Sequence, residues 1–326
     1  MFGRKSENIL IIKMDGLAAF VAAEPLFDAI RKAYPRARLS LLTEPRLQRV
    51  AKAAPYFDQV AALPDFHIAE VRKAFIRQLK NAHFSRVFDL SAREDAKKLY
   101  AALGPFRPKW HSVEPAPRRR GRGAPPESAL PDFGSFIDEA GIEAPERLPD
   151  LRWALDARKD SANMQPAWFG VAGAFGLLLP SADAERRWPA ANYAQLAKRM
   201  AQAHIMPVMA GGKELHTFGD EVAHEAPEIV DLAGKCDHLQ LTALAQEASF
   251  FVSDAAEEVH LVASVGCSGV VIRKAAERGH PPEGRHIVTL TTNDGLGEAG
   301  ADFVWHTLDN MGLIPNDRSA RRAAAR

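Results

Sequence analysis

The sequence has little cysteine and no long apolar run, and each absence excludes a class of protein. Its 326 residues include two cysteines, Cys236 and Cys267, too few for a disulfide framework and typical of a reducing compartment. They form no C-x-x-C pair, and only Cys236 has a histidine nearby, His238, so we expect no metal site. No apolar segment approaches the roughly 20 residues that cross a bilayer, and we expect no transmembrane segment.

Charge is balanced overall but not along the chain. The formal net charge is +1, yet Lys and Arg number 25 against 19 Asp and Glu up to Asp150, and 17 against 22 from Leu151 onward. A basic first half indicates an anionic partner such as a phosphorylated glycan, an anionic lipid or a nucleic acid. Ordinary variation of surface charge explains the same counts.

Nucleotide-binding motifs of the common kinds are missing as well. The sequence contains neither a Walker loop nor G-x-G-x-x-G. Its basic residues are not interleaved with aromatic ones, which excludes nucleic acid as the main partner. The first apolar run, within MFGRKSENILIIK, ends at Lys13 without a small-residue cleavage site. A first strand therefore explains it better than a signal peptide.

Strand and helix patterns alternate along the chain. The buried-strand pattern of Asn8–Lys13 is followed by a helical pattern over Glu24–Tyr34, and a similar series starts at Gly176. Such alternation predicts βαβ units and parallel sheets. We predict an α/β protein with two Rossmann-like doubly wound domains facing a central cleft. The expected domains are residues 1–160 and residues 161–326, the latter ending in a helix and a basic tail. Ligands of such sheets lie beyond the carboxyl ends of the strands.

Several segments occur in an order known from one family. The first half contains NILIIKMDGLAAFVAAEPLFDAIRKAYPRARLSLL and AAPYFDQVAALP, and the second contains LLLPSADAERRWPAANYAQLAKRM, VMAGGKELH and VDLAGKCDHLQLTALAQEASFFVSDAAEEVHLVASVG. In this order and spacing, the chain resembles the heptosyltransferases of glycosyltransferase family 9. The resemblance implies a GT-B fold that binds a sugar nucleotide, typically ADP-heptose, in the second domain and glycosylates the lipopolysaccharide core. It implies no cofactor and no metal, because side chains and backbone amides neutralise the diphosphate.

The chain departs from the family pattern at functional positions. The aspartate that the family offers as general base aligns with Ala19, and its phosphate-binding Asp-(Ser/Thr)-Gly aligns with Ala255, Ala256 and Glu257. Alanine cannot accept a proton, and general-base catalysis contributes about 10²–10⁴-fold. Acidic residues in a first helical turn repel a diphosphate.

Other site residues follow from the resemblance. It implies nucleotide-sugar contacts from Ser181, Arg186, Glu214 and His260. Asp15 is the nearest acid to the vacant base position and a candidate substitute base, although a loop aspartate also caps or turns the chain. His260 and Arg186 have structural alternatives, a packed histidine and a solvated or salt-bridged arginine. Trp188 is expected to anchor a helix start.

The arginines of PAPRRRGRGAPP form the remaining candidate site. Arg118, Arg119 and Arg120 could contact a phosphorylated glycan or lipid acceptor on the acceptor side. A solvated loop explains them equally well.

Two functional hypotheses remain. In one, the chain is a heptosyltransferase-like protein with impaired or lost transferase chemistry, a pseudoenzyme that binds a protein partner or acts as a scaffold. In the other, it is an active, diverged glycosyltransferase that moves a sugar from a nucleotide-sugar to lipopolysaccharide or another glycan. Two locations stay open, free in the cytoplasm or peripheral at the inner face of the inner membrane.

Overall fold

The computed structural model describes residues 7–91, 93–104, 107–113, 133–254, 256–276, 282 and 286–314. The chain divides into two compact units, Met1–Pro149 and Asp150–Arg326. Among the described residues, no helix has both the length and the apolar character needed to span a membrane.

The first unit is built on a five-stranded parallel sheet in the order β3-β2-β1-β4-β5. Its strands are β1 (Asn8–Lys13), β2 (Arg38–Thr43), β3 (Gln59–Ala62), β4 (Arg86–Asp89) and β5 (Lys109–Ser112). Its helices are α1 (Leu17–Ala22), α2 (Glu24–Ala33), α3 (Gln48–Ala53), α4 (Ala69–Asn81), α5 (Glu94–Leu103) and α6 (Gly134–Ala140).

Strand β1 lies in the middle of this sheet, and its side chains are apolar on both faces. Ile9, Ile11 and Ile12 are fully buried, as expected of a strand covered on both sides of a parallel sheet. Ile11 lies between Leu41 of β2 and Phe88 of β4. Helix α2 packs through residues at helical spacing, including Leu26, which is buried.

The second unit contains a six-stranded parallel sheet in the order β11-β10-β9-β6-β7-β8. Its strands are β6 (Phe175–Leu179), β7 (Met206–Gly211), β8 (Val230–Ala233), β9 (Phe250–Ser253), β10 (Gly269–Lys274) and β11 (Ile287–Thr292). Its helices are α7 (Ala190–Gln202), α8 (His216–Glu225), α9 (His238–Glu247), α10 (Glu258–Ser264) and α11 (Ala301–Asn310).

These two sheets confirm the predicted α/β class with two Rossmann-like domains. The segment Arg152–Asp160, which we assigned from sequence to the end of the first domain, is a 3-10 helix that packs against α9. Leu151 also donates its N–H to the carbonyl of Ser264 at 3.2 Å. Both contacts tie this segment to the second unit.

Trp188 anchors the start of α7 in the core of the second unit. Its fully buried ring meets Tyr193 edge-on, with 5.0 Å between ring centroids. The indole N–H donates to the carbonyl of Ala299 at 2.7 Å. A buried indole nitrogen needs such an acceptor, and the contact agrees with the anchoring role expected from sequence.

An ion pair between the exposed Arg147 and a buried carboxylate connects the end of the first unit to α2. The guanidinium of Arg147 donates to both carboxylate oxygens of Glu24, at 2.7 and 2.8 Å. Glu24 is fully buried, and the Tyr56 hydroxyl also donates to it. The segment that leaves the first unit at Pro149 is therefore held two residues before its end.

We predict that Arg147→Ala lowers the free energy of unfolding by about 3 kcal/mol, because Glu24 is then buried without its cation. Denaturant titration followed by circular dichroism measures the change. The matched control is Arg152→Ala, which removes a solvent-exposed guanidinium paired with Asp150 and should leave the midpoint unchanged. Equal midpoints for both variants would show that the Glu24 pair does not stabilise the unit.

Candidate functional site

The carboxyl edge of the second sheet is the expected place for a ligand. Strands β6 and β9 are neighbours there, and the chain runs to β7 and β8 on one side and to β10 and β11 on the other. Such a crossover point is where open α/β sheets bind ligands. Ser181 follows β6 and Asp254 follows β9, so these two residues mark the site.

Asp254 is a fully buried carboxylate at this point. Its Oδ1 accepts the backbone N–H of Ser181 at 2.6 Å, and its Oδ2 accepts the N–H of Trp188 at 2.6 Å. Burial raises the pKa of Asp254 to about 7, against the opposing effect of the two N–H donors. Burial therefore makes the Asp254 carboxyl easier to protonate than that of an exposed aspartate.

The loop 181–188 is also held by its own side chains. Arg187 donates from Nε to the carbonyl of Ser181 at 2.5 Å and from Nη2 to the carbonyl of Ala182 at 2.6 Å. The guanidinium lies 4.6 Å from the centre of the Phe218 ring, a favourable cation–π distance. The Ser181 hydroxyl accepts the N–H of Asp183 at 3.2 Å. Several polar groups of this loop are thus engaged within the protein.

The four residues expected to contact a nucleotide-sugar follow adjacent strands of the sheet. Ser181 and Arg186 follow β6, Glu214 follows β7, and His260 lies on α10 after β9. Glu214 is exposed, and its carboxylate folds against Gly212, where an added Cβ would lie 2.1 Å from Oε1. Arg186 and His260 are half-buried. The topology places all four at the same edge.

Acidic residues surround the start of α10. Glu257 is its N-cap residue and Glu258 its first residue. Ala256, aligned with the family's hydroxyl residue, is buried and donates its N–H to the Ser253 hydroxyl at 3.2 Å. Ala255 lies outside the described residues. Negative charge stabilises a helix start but opposes a second anion at the same place.

A buried lysine and an aspartate occupy the carboxyl edge of the first sheet. Lys13 ends β1 and is fully buried, with its Nζ 3.0 Å from Asp15 Oδ2 and 2.9 Å from the Leu90 carbonyl oxygen. The ammonium also lies 5.4 Å from the Phe133 ring. Burial lowers the pKa of Lys13 and raises the pKa of Asp15, although each charge favours the other.

The loop after β1 is held by hydrogen bonds to residues that follow the two neighbouring strands, β4 and β2, and a further bond joins β4 to β5. Met14 donates its N–H to the Ser91 hydroxyl at 2.7 Å, after β4. Gly16 has a φ of 95°, which glycine adopts readily, and it donates its N–H to Glu44 Oε1 at 3.0 Å, after β2. Asp89, at the end of β4, accepts the Ser112 hydroxyl at 3.0 Å.

Ala19, which we expect at the family's base position, lies inside α1 and is buried, with 7% of its surface exposed. Sequence reasoning overlooked Lys13 and Asp254 as site residues. The signal available for both was a charged residue at or directly after a buried strand.

Arg118, Arg119 and Arg120 lie outside the described residues. The described residues contain no group of three or more His, Cys, Asp or Glu side chains placed to hold a metal ion.

We predict that Lys13→Ala lowers the free energy of unfolding by about 3 kcal/mol, since it leaves the largely buried Asp15 carboxylate without its cation. The double variant Lys13→Met/Asp15→Asn should recover most of the loss, because neither side chain is then charged. Lys32→Ala, which removes an exposed i,i+4 pair with Asp28, serves as control. Equal stability of Lys13→Ala and the control variant in denaturant titrations would contradict this interpretation.

Sequence comparison identifies one family over part of the chain. Residues 133–271 match the family model described as glycosyltransferase family 9 (heptosyltransferase). No curated protein matches the sequence. The matched region includes both strands, β6 and β9, that carry the Asp254 site.

Solved structures share the fold over nearly the whole chain. E. coli ADP-heptose lps heptosyltransferase II has a TM-score of 0.69 at 16% identity, covering 94% of this chain and 98% of its own. A glycosyltransferase family 9 structure from Veillonella parvula has a TM-score of 0.69 at 16% identity, covering 98% and 96%. E. coli heptosyltransferase WaaC with ADP has a TM-score of 0.69 at 15% identity, covering 93% and 99%. The match over residues 133–271 and the shared fold agree with the resemblance found in the sequence, and they support a protein similar to the heptosyltransferases of glycosyltransferase family 9.

Proposed function

We propose that this heptosyltransferase-like protein has impaired or lost transferase chemistry and acts as a binding or scaffolding protein in lipopolysaccharide or surface-glycan glycosylation. The observation that carries the proposal is the buried methyl group of Ala19 at the position of the expected general base. An alanine there cannot take the proton of an acceptor hydroxyl. The expected loss is about 10²–10⁴-fold.

The charges near the donor position support the same proposal. The amides of Ser181 and Trp188 already bind an internal carboxylate, that of Asp254. Glu257 and Glu258 add negative charge where α10 starts. A diphosphate would have to displace the Asp254 carboxylate from these amides and overcome repulsion by Glu257 and Glu258. We therefore expect weak binding of nucleotide-sugars.

The proposed partners follow from charge and family resemblance. The basic first half, with 25 Lys and Arg against 19 Asp and Glu, favours an anionic glycan or lipid. Arg118, Arg119 and Arg120 are proposed contacts for such an acceptor. The proposed location is the cytoplasm, including the inner face of the inner membrane. A protein partner is proposed for the inactive form.

An active transferase is the second candidate, and the environment of Asp15 favours it. Burial raises the pKa of Asp15, which makes its carboxylate a stronger base than an exposed aspartate. In that candidate, Asp15 takes the acceptor proton, and Ser181, Arg186, Glu214 and His260 bind the nucleotide-sugar. The ammonium of Lys13, 3.0 Å from Asp15, has the opposite effect. It stabilises the ionised carboxylate and so makes Asp15 a weaker base.

Measurement of ADP release from ADP-sugar donors, ADP-heptose among them, tests the proposal with a lipopolysaccharide core acceptor. We expect no acceptor-dependent release, or slow release that is equally fast for the unaltered protein and for Asp15→Asn, because no side chain then takes the acceptor proton. Acceptor-dependent release that Asp15→Asn abolishes and Glu44→Gln preserves would contradict the proposal and support the active transferase. Glu44→Gln is the matched control because Glu44 lies at the same edge of the sheet. The amide oxygen of the glutamine could still accept the Gly16 N–H.

A further inference from the structure

Helix α4 lies over one face of the first sheet and turns its apolar side inward. Phe75 and Leu79 pack against the buried cluster that includes Ile12 of β1 and Val87 of β4. None of the 13 residues of the helix is fully buried. Much of the surface of α4 therefore faces away from the core of the first unit.

The outward side of α4 carries a stripe of basic residues. Lys73, Arg77 and Lys80 recur at spacings of four and three residues, which places them on one face of a helix. All three are exposed. Within the described part of the chain, none of the three forms an ion pair. The helix contains four basic residues against one acidic residue, Glu70, so its outward side has an excess of positive charge.

Helix α5 contacts α4 but neutralises its own lysines. Lys97 pairs with Glu94 at 3.7 Å, and Lys98 pairs with Asp95 at 3.5 Å. The two basic and two acidic residues of α5 cancel. The excess positive charge of this pair of helices is therefore that of α4.

An aromatic pair with an arginine lies on the same face of the sheet. Tyr100 of α5 is 37% exposed, and its ring centroid lies 4.9 Å from that of Trp110. The Arg107 guanidinium lies 4.1 Å from the centre of the Tyr100 ring. Trp110 is the register partner of Val87 and packs against the same buried cluster as α4. Side chains with an apolar body and a polar end, as in this Tyr100 cluster, are typical of a membrane–water interface.

We propose that the outward side of α4, with the Tyr100 cluster beside it, is a docking surface for an anionic lipid bilayer. Basic side chains attract the phosphates of such a surface without a shaped pocket. The Tyr100 cluster favours a bilayer over an acidic protein, because a bilayer offers an apolar layer directly beneath its charges. This inference rests on the proposed location at the inner membrane, and it does not depend on loss of transferase chemistry.

Co-sedimentation of the full chain with vesicles of phosphatidylcholine and phosphatidylglycerol tests the docking. Binding should require the anionic lipid and weaken as salt is added. The variant Lys73→Gln/Arg77→Gln/Lys80→Gln should lower the partition coefficient about 10²-fold, since each basic residue near an anionic surface contributes about fivefold. Glutamine is a good helix former, so circular dichroism should show an unchanged helix content. Absence of binding by the unaltered protein would overturn the proposal.

The matched control removes the same charge from other parts of the surface. Arg36→Gln/Lys52→Gln/Lys198→Gln alters three exposed residues before β2, on α3 and on α7. This variant should bind the vesicles as tightly as the unaltered protein. Equal losses for the two triple variants would show that net charge alone drives binding and would overturn the proposed surface.

Acetylation of lysines in the unaltered protein locates the bound surface directly. The same vesicles should protect Lys73 and Lys80 from the reagent and leave Lys52 and Lys198 reactive. Unchanged reactivity of Lys73 and Lys80 would overturn the proposal. Protection of these two by soluble polyglutamate but not by vesicles would also overturn it and indicate an acidic protein as the partner. Sugar transfer by the unaltered protein contradicts only the proposed function.

Discussion

The buried carboxylate of Asp254 determines the arrangement of the second unit's candidate site. Because it is removed from water, its two oxygens must be satisfied by donors of the protein, and the Ser181 and Trp188 amides provide them. Those amides lie where the sheet order reverses between β6 and β9. The fold therefore places its own negative charge at the point where related folds receive a ligand.

The first unit repeats this arrangement with opposite signs. Lys13 ends the central strand β1 in a fully buried position, and Asp15 and the Leu90 carbonyl satisfy its ammonium. Asp15, the candidate substitute base, is thereby committed to an internal contact. Each unit has a parallel sheet of Rossmann-like topology, and charged residues at its carboxyl edge hold the loops that follow the strands.

Most of the fold could be predicted from sequence because long elements carry clear patterns. The apolar run of β1 and the helical spacing of α2 gave both elements within a residue of their observed ends. Helix α1 was not predicted because Leu17–Ala22 is short and almost uniformly apolar, so it shows no periodicity. Strand β5, Lys109–Ser112, was missed because it is a short, polar edge strand.

The candidate site was less predictable because its contacts join residues distant in sequence. The family resemblance directed attention to Ala19 and Glu257, but it could not show that Asp254 binds the amides of Ser181 and Trp188. It equally could not show that Lys13 reaches the Leu90 carbonyl. Such contacts depend on the sheet order, which a single sequence does not reveal.

A calorimetric titration of the unaltered protein with ADP at pH 8 tests most directly whether these internal charges have replaced ligand binding. At that pH Asp254 is largely ionised, and we predict no saturable heat up to millimolar nucleotide. A micromolar dissociation constant for ADP under the same conditions would contradict the proposal that the donor side no longer binds nucleotide.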